Sequence, residues 1–303
     1  MMDFLKRFFG GSASGQQTSS PAPAPSFPAP QPRKRPTLEP LPQSIADEFL
    51  EWFKSQRKPA IALLTTEDQP MEPMGSRLLG PAFLLDGEQW PTGSDGKSLE
   101  FLAQINLADC QALEGYPADG IVQFFVGRGD TYGLNFDDLN KGNFIVRLIG
   151  PDAKGRLQDA PHAHEEDSGG HDDYSPAWGS KHRLNGIKLV PELVEDMIDL
   201  SHHEAADRFY KIPDKYDVDP LYDQIDEMWE QRCNTHHTGG YPAFVQADIR
   251  EDQRYRDYDH VLLRLTSDDH LMWGDAGECV FMIRSDDLAK GDFSKVIYSW
   301  DCS

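Results

Sequence analysis

Five side chains have residue types and neighbours that suit a ligand-binding cleft. Two follow the triplet Pro242-Ala243-Phe244, two lie in the turn-like sequence Trp273-Gly274-Asp275-Ala276-Gly277, and one follows Trp90-Pro91. An aromatic ring that stacks on a ligand, beside an amide or carboxylate that orients it, is typical of small-molecule sites. The alternative, which the sequence favours, is that the polar groups satisfy buried backbone while Trp fills the core. The candidates are Gln104, Gln246, Asp248, Trp273 and Asp275.

Histidine and acidic residues cluster between His162 and Tyr174, and both are metal-ligand types. A polar loop with a Gly-Gly pair does not by itself hold ligands in a fixed geometry, so we predict no metal site there. The pairs His202-His203 and His236-His237 are expected to act as caps or turns, because adjacent side chains point apart on regular structure. The loop residues concerned are His162, His164, Glu165, Glu166, Asp167, His171, Asp172 and Asp173.

Cysteine usage and missing motifs argue against cofactors and catalysis. The four cysteines, Cys110, Cys233, Cys279 and Cys302, are dispersed without a Cys-x-x-Cys pair, so neither a zinc site nor a redox motif is predicted. The sequence contains no Gly-x-Ser-x-Gly elbow, no Walker loop and no His-Glu-x-x-His. We expect no cofactor, and the sequence favours a non-enzymatic role without excluding an enzyme.

The charge balance indicates the class of partner. The 303 residues include 51 acidic and 29 basic ones, a net charge of −22, which argues against nucleic-acid binding because that affinity comes from clustered Lys and Arg. No apolar run approaches the ~18 to 20 residues that span a bilayer, and the N-terminus lacks the apolar core of a secretory signal. We expect a cytoplasmic protein without stable membrane insertion, which offers its acidic surface to a basic protein partner.

Two stretches of the chain repeat the same order of features, which predicts an internal duplication. The first runs from Pro81-Ala82-Phe83 to Gly120–Val126, and the second from Pro242-Ala243-Phe244 to Gly277–Ile283. Phe124 and Phe281 are expected at equivalent inward positions. Apolar segments bounded by turn residues predict strands at 99–107, 121–126, 144–149, 261–265, 279–283 and 296–300.

The chain divides by composition into a tail and a folded domain. Residues 1–36, rich in Pro, Ser and Ala, are expected to be a disordered tail, and residues 37–303 form the domain. Repeat 1 covers about 75–150, an acidic helical insert about 151–232, and repeat 2 about 233–303.

Three helices are predicted outside the repeats. The first begins at a capping-box-like Ser44 and buries Ile45, Phe49, Trp52 and Phe53. The second lies in the insert and carries Leu193, Val194, Met197, Ile198 and Leu200. The third has Asp219 as its N-cap, Pro220 at its first position, and the buried stripe Leu221, Tyr222, Ile225, Met228 and Trp229.

The insert concentrates the acidic charge. Seven basic and 18 acidic residues between positions 161 and 232 give a net charge of −11, half of the total. The face of the third helix opposite its apolar stripe is therefore a candidate surface for a basic partner. The alternative, which is the commoner case, is that these acids only form a solvated face. Its acidic residues are Asp223, Asp226, Glu227 and Glu230.

The chain carries, in order, Trp90-Pro91, Leu102-Ala103-Gln104-Ile105, Pro117 with Gly120 and Phe124-Phe125, Gly239-Gly240-Tyr241-Pro242 with Gln246, and Trp273-Gly274-Asp275-Ala276-Gly277 with Phe281, Ile283, Asp287-Leu288, Asp292-Phe293 and Trp300. Together these motifs, spread over residues 45–303, resemble the bacterial YwqG-like family, a domain of unknown function. The resemblance implies a duplicated α+β fold. Some members of that family are suspected of acting as protective partners near toxin systems.

The sequence therefore predicts an α+β protein of two similar lobes with mostly antiparallel sheets. The leading hypothesis for its function is a cytoplasmic, acidic, immunity-like protein-binding module that acts without catalysis. The alternative is a small-ligand-binding protein or an enzyme that uses a cleft between the lobes.

Overall fold

A pair of long antiparallel strands lies at the centre of the protein. The computed structural model describes residues 38–67, 69–163, 174–177 and 179–303, so the predicted tail and most of the His-rich and acidic loop lie outside the described residues. Strand β2 (Arg57–Thr66) pairs with β9 (Ile187–Met197) over ten consecutive residue pairs. The segment Ala60–Leu63 of β2 is buried, as expected for a strand in the interior of a sheet.

Four strands continue the sheet on each side of this pair. Beyond β9 follow β3 (Arg77–Leu78), β5 (Glu100–Asn106), β6 (Ile121–Val126) and β7 (Phe144–Ile149). Beyond β2 follow β11 (His237–Gly239), β12 (His260–Thr266), β13 (Glu278–Ile283) and β14 (Ile297–Asp301). All neighbouring strands in this ten-stranded sheet are antiparallel, and the sheet is continuous across both predicted repeats.

The two flanks carry the same irregularity in the same place. The register between β5 and β6 shifts between Phe101 and Ala103, and Ala103 then pairs with Phe124. The register between β12 and β13 shifts between Val261 and Leu263, and Leu263 then pairs with Phe281. Each bulge increases the local twist of its strand pair, so both flanks bend at corresponding positions.

The bent sheet curls until its two ends meet, giving a nearly closed, barrel-like arrangement. Phe124 and Phe281 are fully buried and their ring centroids lie 5.0 Å apart. The amide of Tyr298 on β14 donates to the carbonyl of Leu139, 3.1 Å away, in the segment before β7. The predicted inward positions of Phe124 and Phe281 are confirmed, as are the strands predicted in both proposed repeats, with boundaries that differ by at most one residue.

Three helices pack together and form a second core. Helix α1 (Gln43–Ser55) buries Phe49, Leu50 and Phe53, which form one cluster with residues of α2 (His203–Phe209) and α3 (Asp219–Asp226). The remaining elements are the strand pair β4 (Ala82–Leu85) and β8 (Gly155–Gln158), the parallel pair β1 (Glu39–Pro40) and β10 (Tyr216–Asp217), and α4 (Ser285–Ala289). Of the helices in the described residues, none is long and apolar enough to cross a bilayer.

The predicted helix over Leu193–Leu200 is wrong, because most of this segment belongs to β9. The spacing of Leu193, Val194, Met197 and Ile198 fits a helical face, yet Leu193 is 58% exposed while Met197 and Ile198 are buried. The ten-residue pairing with β2 overrides the local pattern, as tertiary context often does. The insert is therefore only partly helical and contains one of the two central strands.

Details of the other two predicted helices also differ. The N-cap of α1 is Pro42 rather than Ser44, and the N-cap of α3 is Val218, with Asp219 as the first helical residue. Helix α3 ends at Asp226, before the predicted stripe does. Trp229, which follows the helix, is 54% exposed. Tyr222, within the helix, is 38% exposed, although both were expected to be buried.

We expect Phe124→Ala and Phe281→Ala each to lower the free energy of unfolding by about 3 to 5 kcal/mol, as for other buried Phe truncations. Because the two rings are in contact, the double variant should lose less than the sum of the single losses. Urea unfolding measures all three values. Phe136→Ala, at a 57% exposed position, is the control and should change little. Strictly additive losses would contradict an energetic coupling between the two rings.

Candidate functional site: an acidic groove on the central strand pair

The candidate residues predicted from the sequence fall in separate parts of the structure. Gln104 is fully buried in β5, where its Nε2 donates to the carbonyls of Pro73 and Gly75, and its Oε1 accepts from Gln123 Nε2. Its amide thus fixes the loop before β3. This agrees with the alternative interpretation of the sequence, in which polar groups satisfy buried backbone.

Gln246, Trp273 and Asp275 lie near the C-terminal residues. The Gln246 Nε2 donates to the carbonyl of Cys302 at 2.8 Å, and Ser303 Oγ donates to the carbonyl of Asp275 at 3.1 Å. Gln246 and Asp275 are exposed, whereas Trp273 is fully buried against Tyr132 and Trp300. The Trp273 side chain is part of the core and has no exposed surface to offer a ligand.

Asp248 belongs to a buried cluster with two adjacent histidines. Its carboxylate accepts hydrogen bonds from the backbone amide of His203 and from Nε and Nη2 of Arg250, at 2.6 to 2.9 Å. His202 caps α2 by accepting from the amide of Glu204 at Nδ1, as predicted for a capping role. The two histidine rings stack with centroids 4.7 Å apart, although adjacent histidines were expected to point apart.

Within the described residues, His202, His203 and Asp248 form the one three-residue group with metal-ligand spacing. Their lone pairs are already used: both carboxylate oxygens bond Arg250, and Nδ1 of His203 accepts from Arg256 Nη1 at 2.6 Å. Burial, with Arg250 as a further cause, lowers the pKa of His202 to about 2. Two guanidinium groups beside the cluster oppose a metal cation, so its geometry suits a hydrogen-bonded junction better than a metal centre.

A groove of about 280 Å³ lies on the outer surface of the central strand pair. Its apolar part comes from Ala62 and Leu64 on β2 and from Val194 on β9, and Leu64 is 39% exposed. The opposite wall is the segment from Glu230 to Thr235, which leads from the short 3-10 helix Trp229–Gln231 into β11. An exposed apolar surface in the middle of a sheet is the kind of feature that marks a binding surface.

The rim of the groove is acidic. Glu192 and Glu195 on β9 lie on one side and Glu230 on the other, and all three are exposed. The neighbouring acids Asp223, Asp226 and Glu227 on and after α3 are also exposed, as the sequence predicted for them and for Glu230. The negative charge of the rim favours a basic ligand.

Two buried charged residues fix the wall of the groove. Asp196 on β9 accepts from the amide of Cys233 at 2.8 Å, and Arg264 on β12 donates to the carbonyl of Cys233, also at 2.8 Å. The second oxygen of Asp196 accepts from the amide of Tyr241. Gly240 is required there, since its φ is +65° and a Cβ would lie 2.7 Å from that carboxylate. The wall is thereby held from both sides at Cys233.

Two polar atoms beneath the groove surface have no hydrogen-bond partner in the described part of the chain. They are Arg232 Nε and Asn234 Oδ1, and both side chains line the groove. The Arg232 side chain is 7% exposed, pairs with Asp199 and packs over the Trp229 ring. An unpaired buried polar atom costs about 1 to 3 kcal/mol, and a ligand recovers that energy only if the Arg232 and Asn234 side chains turn so that these atoms face the groove.

The comparisons with known proteins concern the family alone. A family described as Domain of unknown function (DUF1963) matches residues 76–302. The chain belongs to this family. No curated protein matches it. The matched residues of the DUF1963 family include β9 and the groove wall at 230–235, while β2, which supplies Ala62 and Leu64, precedes the match.

Sequence reasoning found Glu230 but missed the other groove residues. Glu195 lies within the predicted helix and Glu192 directly before it, whereas the structure places both on β9. Ala62 and Leu64 belong to β2, which the sequence analysis does not predict. The apolar run Ala60–Leu64, between Pro59 and the polar residues after it, is the signal that could have indicated β2.

We expect extensive dialysis against a chelator to leave the melting temperature unchanged, because the ligand atoms of the His202, His203 and Asp248 cluster are occupied by protein donors. Differential scanning calorimetry before and after dialysis measures this. A clear drop that added zinc reverses would show that the fold depends on a metal.

Acidification should destabilise the protein partly through His202. Its pKa is about 2 when folded and about 6.5 in an unfolded chain, so the unfolded state gains the proton first as the pH falls. The contribution of His202 to the free energy of unfolding is therefore fully present above about pH 6.5 and decreases as the pH falls below that value. Between about pH 7 and about pH 5 the decrease should be about 2 kcal/mol. The variant His202→Asn keeps a capping acceptor but has no group that titrates in this range. Over the same pH interval its free energy of unfolding, measured with urea, should fall by about 2 kcal/mol less than that of the wild type. Identical pH dependences would contradict the prediction.

Proposed function

We propose that this DUF1963 protein is a protein-binding module that takes a basic segment of a partner protein into the groove on β2 and β9. The apolar surface of Leu64 and Val194 contributes burial, and the carboxylates of Glu192, Glu195 and Glu230 pair with Lys or Arg side chains. Charges around a groove of this kind accelerate association and select partners by sign.

The coincidence of this acidic rim with unpaired polar atoms carries the proposal. Arg232 Nε is a donor and Asn234 Oδ1 an acceptor, and both lie under the same groove. A peptide backbone presents a carbonyl and an N–H, which are the complementary groups. A polypeptide therefore suits the groove better than an isolated cation, which would leave Arg232 Nε unpaired.

We further infer that the two flanks of the sheet arose by duplication. The order β3, β5, β6, β7 outward from β9 mirrors β11, β12, β13, β14 outward from β2, and the bulges lie opposite Phe124 and Phe281 in both. In this interpretation β2 begins the first repeat and β9 the second. Each of these strands then pairs with the other repeat, so the repeats exchange their first strands.

Three finer expectations from the sequence support the proposal only as context. They are the resemblance to the YwqG-like family, an immunity-like role, and a cytoplasmic location. In an immunity-like role the basic partner would be a toxin protein, because immunity proteins act by binding a toxin tightly.

The proposal is tested with labelled peptides in fluorescence anisotropy. A peptide in which Lys and Leu alternate should bind, and one in which Glu and Leu alternate should not. Binding should weaken steeply as salt rises, since exposed charges are screened beyond about 10 Å at 0.1 M ionic strength. Glu192→Gln with Glu195→Gln and Glu230→Gln should weaken binding at least tenfold.

Two further variants locate the surface. Neutralising Asp223, Asp226 and Glu227 tests whether the helix face takes part. The matched control neutralises Glu114, Asp119 and Asp286, which are exposed elsewhere, and should leave affinity close to the wild-type value. Equal losses in the groove and control variants would attribute the binding to net charge alone and refute the groove.

A further inference from the structure

A second cluster, outside the groove, joins a serine, a histidine and a glutamate. Glu100 is the first residue of β5, Ser98 lies two residues before it, and His162 follows β8. The Oγ of Ser98 lies 2.8 Å from His162 Nδ1, and Nε2 of the same ring lies 3.1 Å from Glu100 Oε2. These are the residue types of a nucleophile, a general base and the group that orients the base.

The hydrogen bonds determine which nitrogen of His162 carries the proton. Burial by itself raises the pKa of Glu100, but the hydrogen bond from His162 and the charge of Arg183 hold that pKa below its usual value. An ionised carboxylate can only accept, so Nε2 of His162 donates to it. When the ring is neutral, Nδ1 is the nitrogen without a proton and accepts from the Ser98 hydroxyl. In serine proteases of the chymotrypsin type the two ring nitrogens have the opposite roles.

The burial pattern suits an activated serine. His162 is 1% exposed and Glu100 is 4% exposed, while Ser98 is half-buried and reaches the surface. Arg183 Nη2 lies 3.4 Å from Glu100 Oε2, so the carboxylate is held from two sides. The base and its orienting group are thus fixed in the interior, and Ser98 is the most exposed of the three residues.

We propose that Ser98 is a nucleophile for acyl transfer, with His162 as its general base and Glu100 as a positioning residue. This proposal is independent of the groove. The Ser98 Oγ bonds to a carbonyl carbon while its proton passes to His162 Nδ1 and the carbonyl electron pair moves to oxygen. The leaving group departs with the proton from His162, and water then hydrolyses the acyl-serine. The substrate class is an ester or a comparably activated acyl compound.

A fluorophosphonate probe on the full chain tests the nucleophile. Ser98 Oγ would form a bond to phosphorus, the P–F bond would break, fluoride would leave, and the proton would pass to His162. We expect one label per chain, mapped to Ser98 by mass spectrometry, and no label in Ser98→Ala. Ser94→Ala is the control, because Ser94 is exposed and hydrogen-bonds Asn143 Oδ1 rather than a base. Its labelling should match the wild type.

Two variants separate activation from structure. His162→Gln should slow labelling of Ser98 by about 10²-fold or more, the usual contribution of a general base. Glu100→Gln should also slow it, and Glu100→Asp, which restores the charge, should recover part of the rate. Circular dichroism and urea unfolding identify any variant that fails to fold. If the probe labels Ser98 in the folded wild-type protein no faster than Ser94, the hydrogen bonds among Ser98, His162 and Glu100 are only structural and the proposal is wrong.

Discussion

The pairing of β2 with β9 is the constraint on which the rest of the structure depends. Ten consecutive residue pairs join segments that are far apart in the sequence, and every other strand of the main sheet extends from one side of this pair. The register places Asp196 opposite Lys58 and Glu195 opposite Pro59. A shift by one residue would move Ile61 and Leu63 out of the core and turn the groove residues inward.

The dependence on this pair also explains which parts of the fold could be predicted from the sequence. Strands β5, β6, β7, β12, β13 and β14 form local meanders, so their apolar runs and turn residues predict them directly. Strand β9 has a half-exposed surface, and its apolar residues fall at a spacing that a helix would share. Its partner is distant in sequence, so no local pattern distinguishes the two interpretations.

The candidate site could be predicted only where it depends on local composition. Glu230 and the acids around it are exposed because α3 and the residues after it lie at the surface, which the amphipathic pattern indicates. The other groove residues come together through the register of β2 with β9 and through the contacts of Asp196 and Arg264 with Cys233. The row of Ser98, His162 and Glu100 likewise depends on the position of the segment after β8.

Corresponding positions in the two flanks show how similar halves can support different surfaces. Gln104 and Arg264 each lie one residue beyond the bulge of their strand. Gln104 donates to carbonyls of the segment before β3, and Arg264 donates to the carbonyl of Cys233 in the segment before β11. Both residues therefore hold the segment that leads into the strand next to the central pair.

The side chains at these two positions differ in charge, and they hold different segments of the chain. A buried guanidinium requires an anion, which Glu278 on β13 supplies for Arg264, while the neutral Gln104 is satisfied by Gln123 on β6. The charged pair, Arg264 with Glu278, lies in the flank next to the acidic groove. Arg264 fixes the wall of the groove without using the exposed carboxylates of the rim. Glu192, Glu195 and Glu230 are consequently left available to a partner, because the charge that holds the wall is neutralised within the sheet.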